Sequence, residues 1–377
     1  MKQTLLSALI VTLVLLSSAC GGGSKTSSVY EDAADTLIFR YAENISVVKH
    51  ADFTKVVLRN PWDTLKTLHT YLLVDKHQDT PSHLPQGTVV RVPLEKSLVY
   101  SSVHCSLLKD LQSLSVVAGV CDLSYIRMPE IQKGCQTGNI SDCGSSMNPN
   151  IERIINLSPD AVLLSPFENS GGYGRIEKLG VPIIECADYM ETSPLGRSEW
   201  MRFFGLLIGK EAVADELFTE IEKEYVSLKL QAILPSRPTV ITELKMGSAW
   251  YVPGGKSTVA QLLHDAGARY LLADNTSRGS VPLSFETVFD KGQHADCWLI
   301  KYNQQSDKTY AEIAADYAPY QNFDAWKQKH IFGCNTSKVN FYEESPFHPE
   351  RLLKDLIKLF HPELLPDYKT VYYSPLK

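Results

Sequence analysis

From residue 98 onward, short apolar runs alternate with stretches in which apolar positions recur every three or four residues. This alternation predicts parallel strands linked by helices. In the first half, strands are predicted at 98–101, 116–120, 161–165 and 181–186, with helices near 105–114, 151–157 and 173–179. The second half repeats the cadence, with strands at 239–244, 269–272 and 298–301 and helices at 257–266, 285–291, 310–315 and 323–329. Between the halves, Val213, Leu217, Ile221, Tyr225, Leu228 and Ala232 recur at spacings of four, four, four, three and four, which places them on one face of a long helix ending before Pro235. Residues 36–96 differ: β-branched and aromatic runs such as VVLRN and TYLLV are broken by Asn60-Pro61 and by 79–87, which reads as strands and hairpins. The expected fold is therefore α/β, with two Rossmann-like lobes joined by one long interlobe helix and an additional N-terminal β-rich segment. Two such lobes leave a cleft between them, lined by loops at the carboxyl ends of the strands.

The chain of 377 residues is 44% hydrophobic and 21% charged, enough apolar material for two cores. A formal net charge of −6 removes any global electrostatic argument for a nucleic-acid partner. No apolar run reaches the roughly 20 residues of a membrane-spanning helix. At the N-terminus, Lys2 is followed by an apolar run over 5–16 and by Ser17, Ser18, Ala19 and Cys20, the pattern of a cleavable export signal. The cysteine after small residues resembles a bacterial lipobox, which would make Cys20 the lipidated first residue of the mature protein. The expected organisation is a signal peptide over 1–19, a lipidated flexible tether over 20–35, the β-rich segment over 36–97, an N-terminal α/β lobe over 98–205, the interlobe helix over 206–235 and a C-terminal α/β lobe over 236–377. Seven further cysteines remain, of which Cys121, Cys135 and Cys143 are close enough in sequence for one bridge among them. No C-x-x-C or H-x-x-x-H spacing occurs, so no metal site and no cofactor is expected.

The segment CGSSMNPNIERIINLSPDAVLLS (143–165) is the most informative in the chain. Asn148 or Asn150 caps a helix with Glu152 in its first turn, and a buried strand follows. VPLSFETVFDKGQHADCWLIKY (281–302) duplicates this arrangement, with Ser284 as cap and Glu286 in the first turn. Together with GVPIIE, the interlobe helix and the closing FHPERLLKDLIKLFHPEL, these strings are similar to the class III substrate-binding proteins of ABC importers for ferric siderophores, haem and vitamin B12. The similarity spans 98–365. It implies that Glu152 and Glu286, one per lobe, each meet an arginine of a permease subunit. It also implies a lipid-anchored periplasmic monomer whose partners are a metal-chelate small molecule, an ABC permease with its ATPase, and the membrane through Cys20.

Aromatic residues fall where loops should face the cleft. His104, Phe167, Tyr173, Trp250, Tyr251 and Tyr302 are the candidate ligand-binding residues, since flat rings stack on macrocycles or catecholates and a His or Tyr reaches a metal centre. The expected cargo is an iron chelate of siderophore type first, a corrinoid second and haem third. Enzyme motifs are incomplete: PGGKST has Trp250 where a phosphate loop needs its first glycine, no G-x-S-x-G elbow occurs, and SGGYG lacks the dinucleotide pattern. No catalytic residue is assigned, and a binding protein that does no chemistry is expected. Two rival readings are an exported chelatase-like tetrapyrrole enzyme with His104 or Glu168 as proton acceptor, and a binding or sensory module without a transporter.

Overall fold

Three five-stranded sheets carry the chain in the computed structural model, which describes residues 35–168 and 172–377. The expected export signal, Cys20 and most of the tether lie outside the described residues.

The first sheet takes its strands in chain order: Asp35–Leu37, Ile45–Lys49, Thr54–Arg59, Thr67–Asp75 and Thr88–Val92. All neighbours are antiparallel except the last pair. The run Tyr71-Leu72-Leu73-Val74 is apolar at every position because both faces of this sheet are covered. Tyr71 and Leu73 enter the main core beside Phe203, while Leu72 and Val74 form a smaller cluster with Phe53 on the other side.

Two buried carboxylates seat this sheet on the rest of the chain. Glu199, fully buried, accepts from the backbone N–H of Arg40 (2.9 Å), Tyr41 (2.8 Å) and Ala42 (2.9 Å). Glu191 accepts from the N–H of Glu43 (3.0 Å) and Asn44 (2.9 Å), and from the Trp200 indole (2.9 Å). Five successive amide groups that no strand ladder uses are thereby satisfied. Gly196 is needed here, because a Cβ would stand 2.7 Å from the carbonyl oxygen of Tyr41.

The second sheet is parallel, in the order Ile183–Glu185, Ala161–Leu164, Ser97–Val99, Val117–Val120, Ser141–Asp142. The third runs Arg269–Tyr270, Thr239–Thr242, Cys297–Tyr302, Ile331–Asn335, Ser374–Pro375, with only the last strand antiparallel. Helix Ile151–Leu157 has the predicted bounds, with the Asn150 side chain accepting from the N–H of Arg153 at 3.0 Å. The expected helix over 173–179 is only a single turn, Glu177–Leu179, because Gly174 and Gly180 flank it in the left-handed conformation (φ +62° and +70°).

The helix between the lobes is Glu211–Gln231. Gly209 in the left-handed region (φ +66°) separates it from Met201–Ile208. Its fully buried stripe is Ala214, Phe218, Ile221, Tyr225 and Leu228, so Val213 and Leu217, expected on that stripe, sit at its half-buried edge. The stripe packs between Met201–Ile208 and the helix Pro349–Phe360, both of which crowd against it. The seven cysteines among the described residues are free thiols, so no bridge joins Cys121, Cys135 or Cys143. Burial pushes the Cys121 thiol up to about 12, where it is chemically inert.

Candidate functional site

In both lobes the strand order reverses beside the first strand. The first lobe steps from Ser97–Val99 through Val117–Val120 to Ser141–Asp142, then crosses back to Ala161–Leu164 and Ile183–Glu185. The second leaves Thr239–Thr242 for the Arg269–Tyr270 edge and returns across it to Cys297–Tyr302. At such a reversal, helices depart to opposite faces and open a crevice at the carboxyl ends of the strands. In the second lobe this crevice holds a cavity of about 230 Å³. Thr242, Glu243, Leu299 and Lys301 line it from the two strands, Phe341 and Tyr342 from the segment after the fourth strand, and Pro194 and Arg197 from the helix Pro194–Glu199, which precedes the helix between the lobes. The cavity is therefore built where the halves meet.

Two ion pairs border it. The Lys301 ammonium pairs with Glu243 and lies 5.8 Å from the Phe341 ring centre. Arg197 Nε donates to Asp188 Oδ2 at 3.0 Å, and the other oxygen of that buried carboxylate accepts from His104 Nε2 at 3.0 Å. Burial alone would raise Asp188, but His104 and Arg197 outweigh it and hold the carboxyl below its ordinary value. The same boundary is tied by Arg127, which donates to the Thr336 carbonyl at 2.5 Å, and by the Phe341–Glu344 helix packed on Ser102–Asp110.

The model of the periplasmic binding protein family matches residues 109–337, more than half of the chain. The chain belongs to that family. An uncharacterized lipoprotein of Methanocaldococcus jannaschii is 26% identical over 362 residues, covering 90% of this chain and 85% of its own. A periplasmic heme binding protein from Pseudomonas aeruginosa superposes with a TM-score of 0.59 at 15% identity, over 75% of this chain and 98% of its own. An ABC-type Fe3+-hydroxamate transport system protein from Saccharomonospora viridis gives 0.55 at 17%, over 71% and 94%. Both structures share the two-lobed fold.

Within this binding-protein frame, Glu152 and Glu286 each stand exposed in the first turn of a capped helix, one per lobe. The backbone amides at the start of Phe285–Gly292 and the Ser284 hydroxyl hold the Glu286 carboxyl below its ordinary value. Met147 and Ile155 are exposed near Glu152, and Met246 and Tyr251 are exposed in the other lobe.

The candidate ligand residues separate. Phe167 is exposed just past the Ala161–Leu164 strand, at the first lobe's own reversal point, and Tyr251 is half-exposed. Trp250 is buried: the hairpin of Trp250–Pro253 with Ser280–Leu283 alternates in and out, and the indole turns inward to stack on Trp298 with 5.6 Å between ring centres. His104 is also buried, stacked on Phe204 and committed to Asp188, so it reaches neither a metal centre nor the proton of a tetrapyrrole. Tyr302 is half-buried against Gly333, its hydroxyl accepting from the Lys308 N–H. Tyr173 donates to Glu185 (2.6 Å) in a separate open groove shared with His69 and Thr88, between the first sheet and the first lobe. Glu243 and Arg197 had no part in the sequence-derived site. Glu243 is the next-to-last residue of the strand predicted at 239–244, a position where a charged residue is informative; Arg197 lies in 187–200, where no periodic signal marked an element.

Proposed function

We propose that this protein captures a metal chelate between its two lobes and hands it to an ABC permease, while Cys20 anchors it to the membrane by lipid. The observation that carries the reading is the pairing of an interlobe cavity with one exposed, helix-capped carboxylate on each lobe. The names of similar structures, one binding haem and one belonging to Fe3+-hydroxamate transport, support an iron-chelate cargo, with a corrinoid next. The lipoprotein name of the archaeal relative supports the anchor. Phe167 and Tyr251 remain as ligand contacts, joined by Tyr342, Arg197 and Lys301; His104, Trp250, Tyr173 and Tyr302 leave the set.

Delivery needs registration as well as affinity. Two carboxylates met by two guanidinium groups give directional, charge-assisted contacts that fix how a bilobed protein sits on a two-subunit partner. Each such contact is worth about 1.5–3 kcal/mol, roughly a tenfold change in association or more. The variant Glu152→Ala with Glu286→Ala is expected to bind its chelate within twofold of wild type and to lose at least tenfold in uptake through the reconstituted permease. Unchanged uptake would exclude the docking role.

A further inference from the structure

The cavity between the halves carries its charges in closed pairs. Lys301 has Glu243 and Arg197 has Asp188, so each cation at this wall meets its own carboxylate before any ligand arrives. The rest of the wall is mainly apolar, with Val259, Leu262, Leu299 and Phe341 set beside the Thr242 and Ser345 hydroxyls. Taking the cleft as the cargo site of the proposed function, we propose that this cavity receives an uncharged, apolar arm of the cargo, and that the protein selects chelates without net negative charge over polyanionic ones.

Three observations support this. First, about 230 Å³ is below the roughly 300–1,000 Å³ of pockets that enclose a whole small molecule, so only part of a chelate enters and the rest lies against the exposed rim. Second, a closed ion pair presents a dipole rather than a monopole. A polyanion at this wall meets Glu243 as nearly as Lys301, and freeing Lys301 for it would strand Glu243 in a poorly hydrated site. Third, the backbone fixes the pairing. Glu243 is held at φ +67°, a left-handed conformation that a non-glycine side chain adopts at a cost. Its N–H donates to the Leu299 carbonyl at 2.8 Å and its own carbonyl accepts the Trp298 indole N–H at 2.8 Å. Glu243 is thus a positioning residue whose task is to neutralise Lys301.

The test is titration of intrinsic tryptophan fluorescence of the full protein with four probes: a neutral ferric trihydroxamate, cyanocobalamin, a trianionic ferric tricatecholate and haemin. A neutral member is expected to bind at least tenfold tighter than either anion, with little change between 50 and 500 mM salt. Glu243→Gln, which keeps the side-chain volume, is expected to narrow that ratio at least fivefold by strengthening the anion. Tightest binding of an anion by the wild type, or an unchanged ratio in Glu243→Gln, overturns the charge selection while leaving the chelate reading intact. Failure of all four probes to bind folded protein overturns the chelate reading and this inference with it.

Discussion

Glu199→Ala is expected to lower the unfolding free energy by about 3–5 kcal/mol and to release residues 40–42 from the helical layer beneath them. The carboxylate is fully buried and accepts three successive backbone N–H groups, with Arg202 also 3.7 Å away. A hydrogen bond to a charged acceptor contributes about 1.5–3 kcal/mol, and each buried amide left without a partner costs a further 1–3 kcal/mol. These figures do not add fully, because water enters as the segment lifts. Glu199→Gln is the informative companion: it keeps one acceptor oxygen but turns an NH₂ towards amides that themselves donate, so it should fall between wild type and Ala. Chemical denaturation gives the size, and amide exchange at 40–44 gives the place. A loss below 1 kcal/mol with exchange unaltered would mean that the β-rich segment is held by its apolar face alone.

That seating shows what the sequence can and cannot disclose. The β-rich character of 36–96 was readable from runs such as VVLRN, and the twin lobes from the alternation of apolar runs with helical periodicity. Those signals are local, set by which residues share a face over five to fifteen positions. How the first sheet attaches was not readable. Glu191 and Glu199 look like two acids in an unpatterned stretch, yet their partners lie about 150 residues upstream. The site divides the same way. The placement of Glu152 and Glu286 in the first turns of capped helices was legible because a cap and a first-turn acid are neighbours in sequence. The ligand aromatics were chosen by their position after strands, and that rule cannot tell which way a ring turns. In the Trp250–Pro253 strand the period of two sends Trp250 inward and Tyr251 outward, and a one-residue shift of register would have reversed them. His104 follows the first strand as expected, but its helix directs it to the buried Asp188, a partner 84 residues away. Arg197 and Glu243 acquire meaning only once the strand order places them across one cavity.

Raising the pH from 6.5 to 10 is expected to remove about 3 kcal/mol of stability through a single residue, His348. This buried imidazole stands at the start of Pro349–Phe360 and presents Nε2 to Asp110 at 3.1 Å and Nδ1 to Glu350 at 3.0 Å. Both ring nitrogens face carboxylates, so the ring is a double donor and carries charge. Burial works against that charge, as does Arg351, but the two carboxylates prevail and raise its pKa from 6.5 to about 9. Every tenfold gain in proton affinity on folding is worth about 1.4 kcal/mol, which gives the total. Because the folded value is the higher one, the contribution is fully present below about pH 6.5 and fades as the pH climbs through about 9. The contact joins the last long helix to the end of Ser102–Asp110 in the first lobe, so its loss weakens the junction between halves. Deprotonation also leaves Glu350, a buried carboxylate whose second oxygen already has no hydrogen-bond partner, with Arg351 at 3.6 Å as its remaining counter-charge. The measurement that isolates this residue is the difference in unfolding free energy between wild type and His348→Gln across this range. The difference should be about 2–3 kcal/mol in favour of wild type near pH 6.5 and should shrink towards zero by pH 10. Parallel curves would show that the ring is neutral in the fold and that the ionic contact between the halves does not exist.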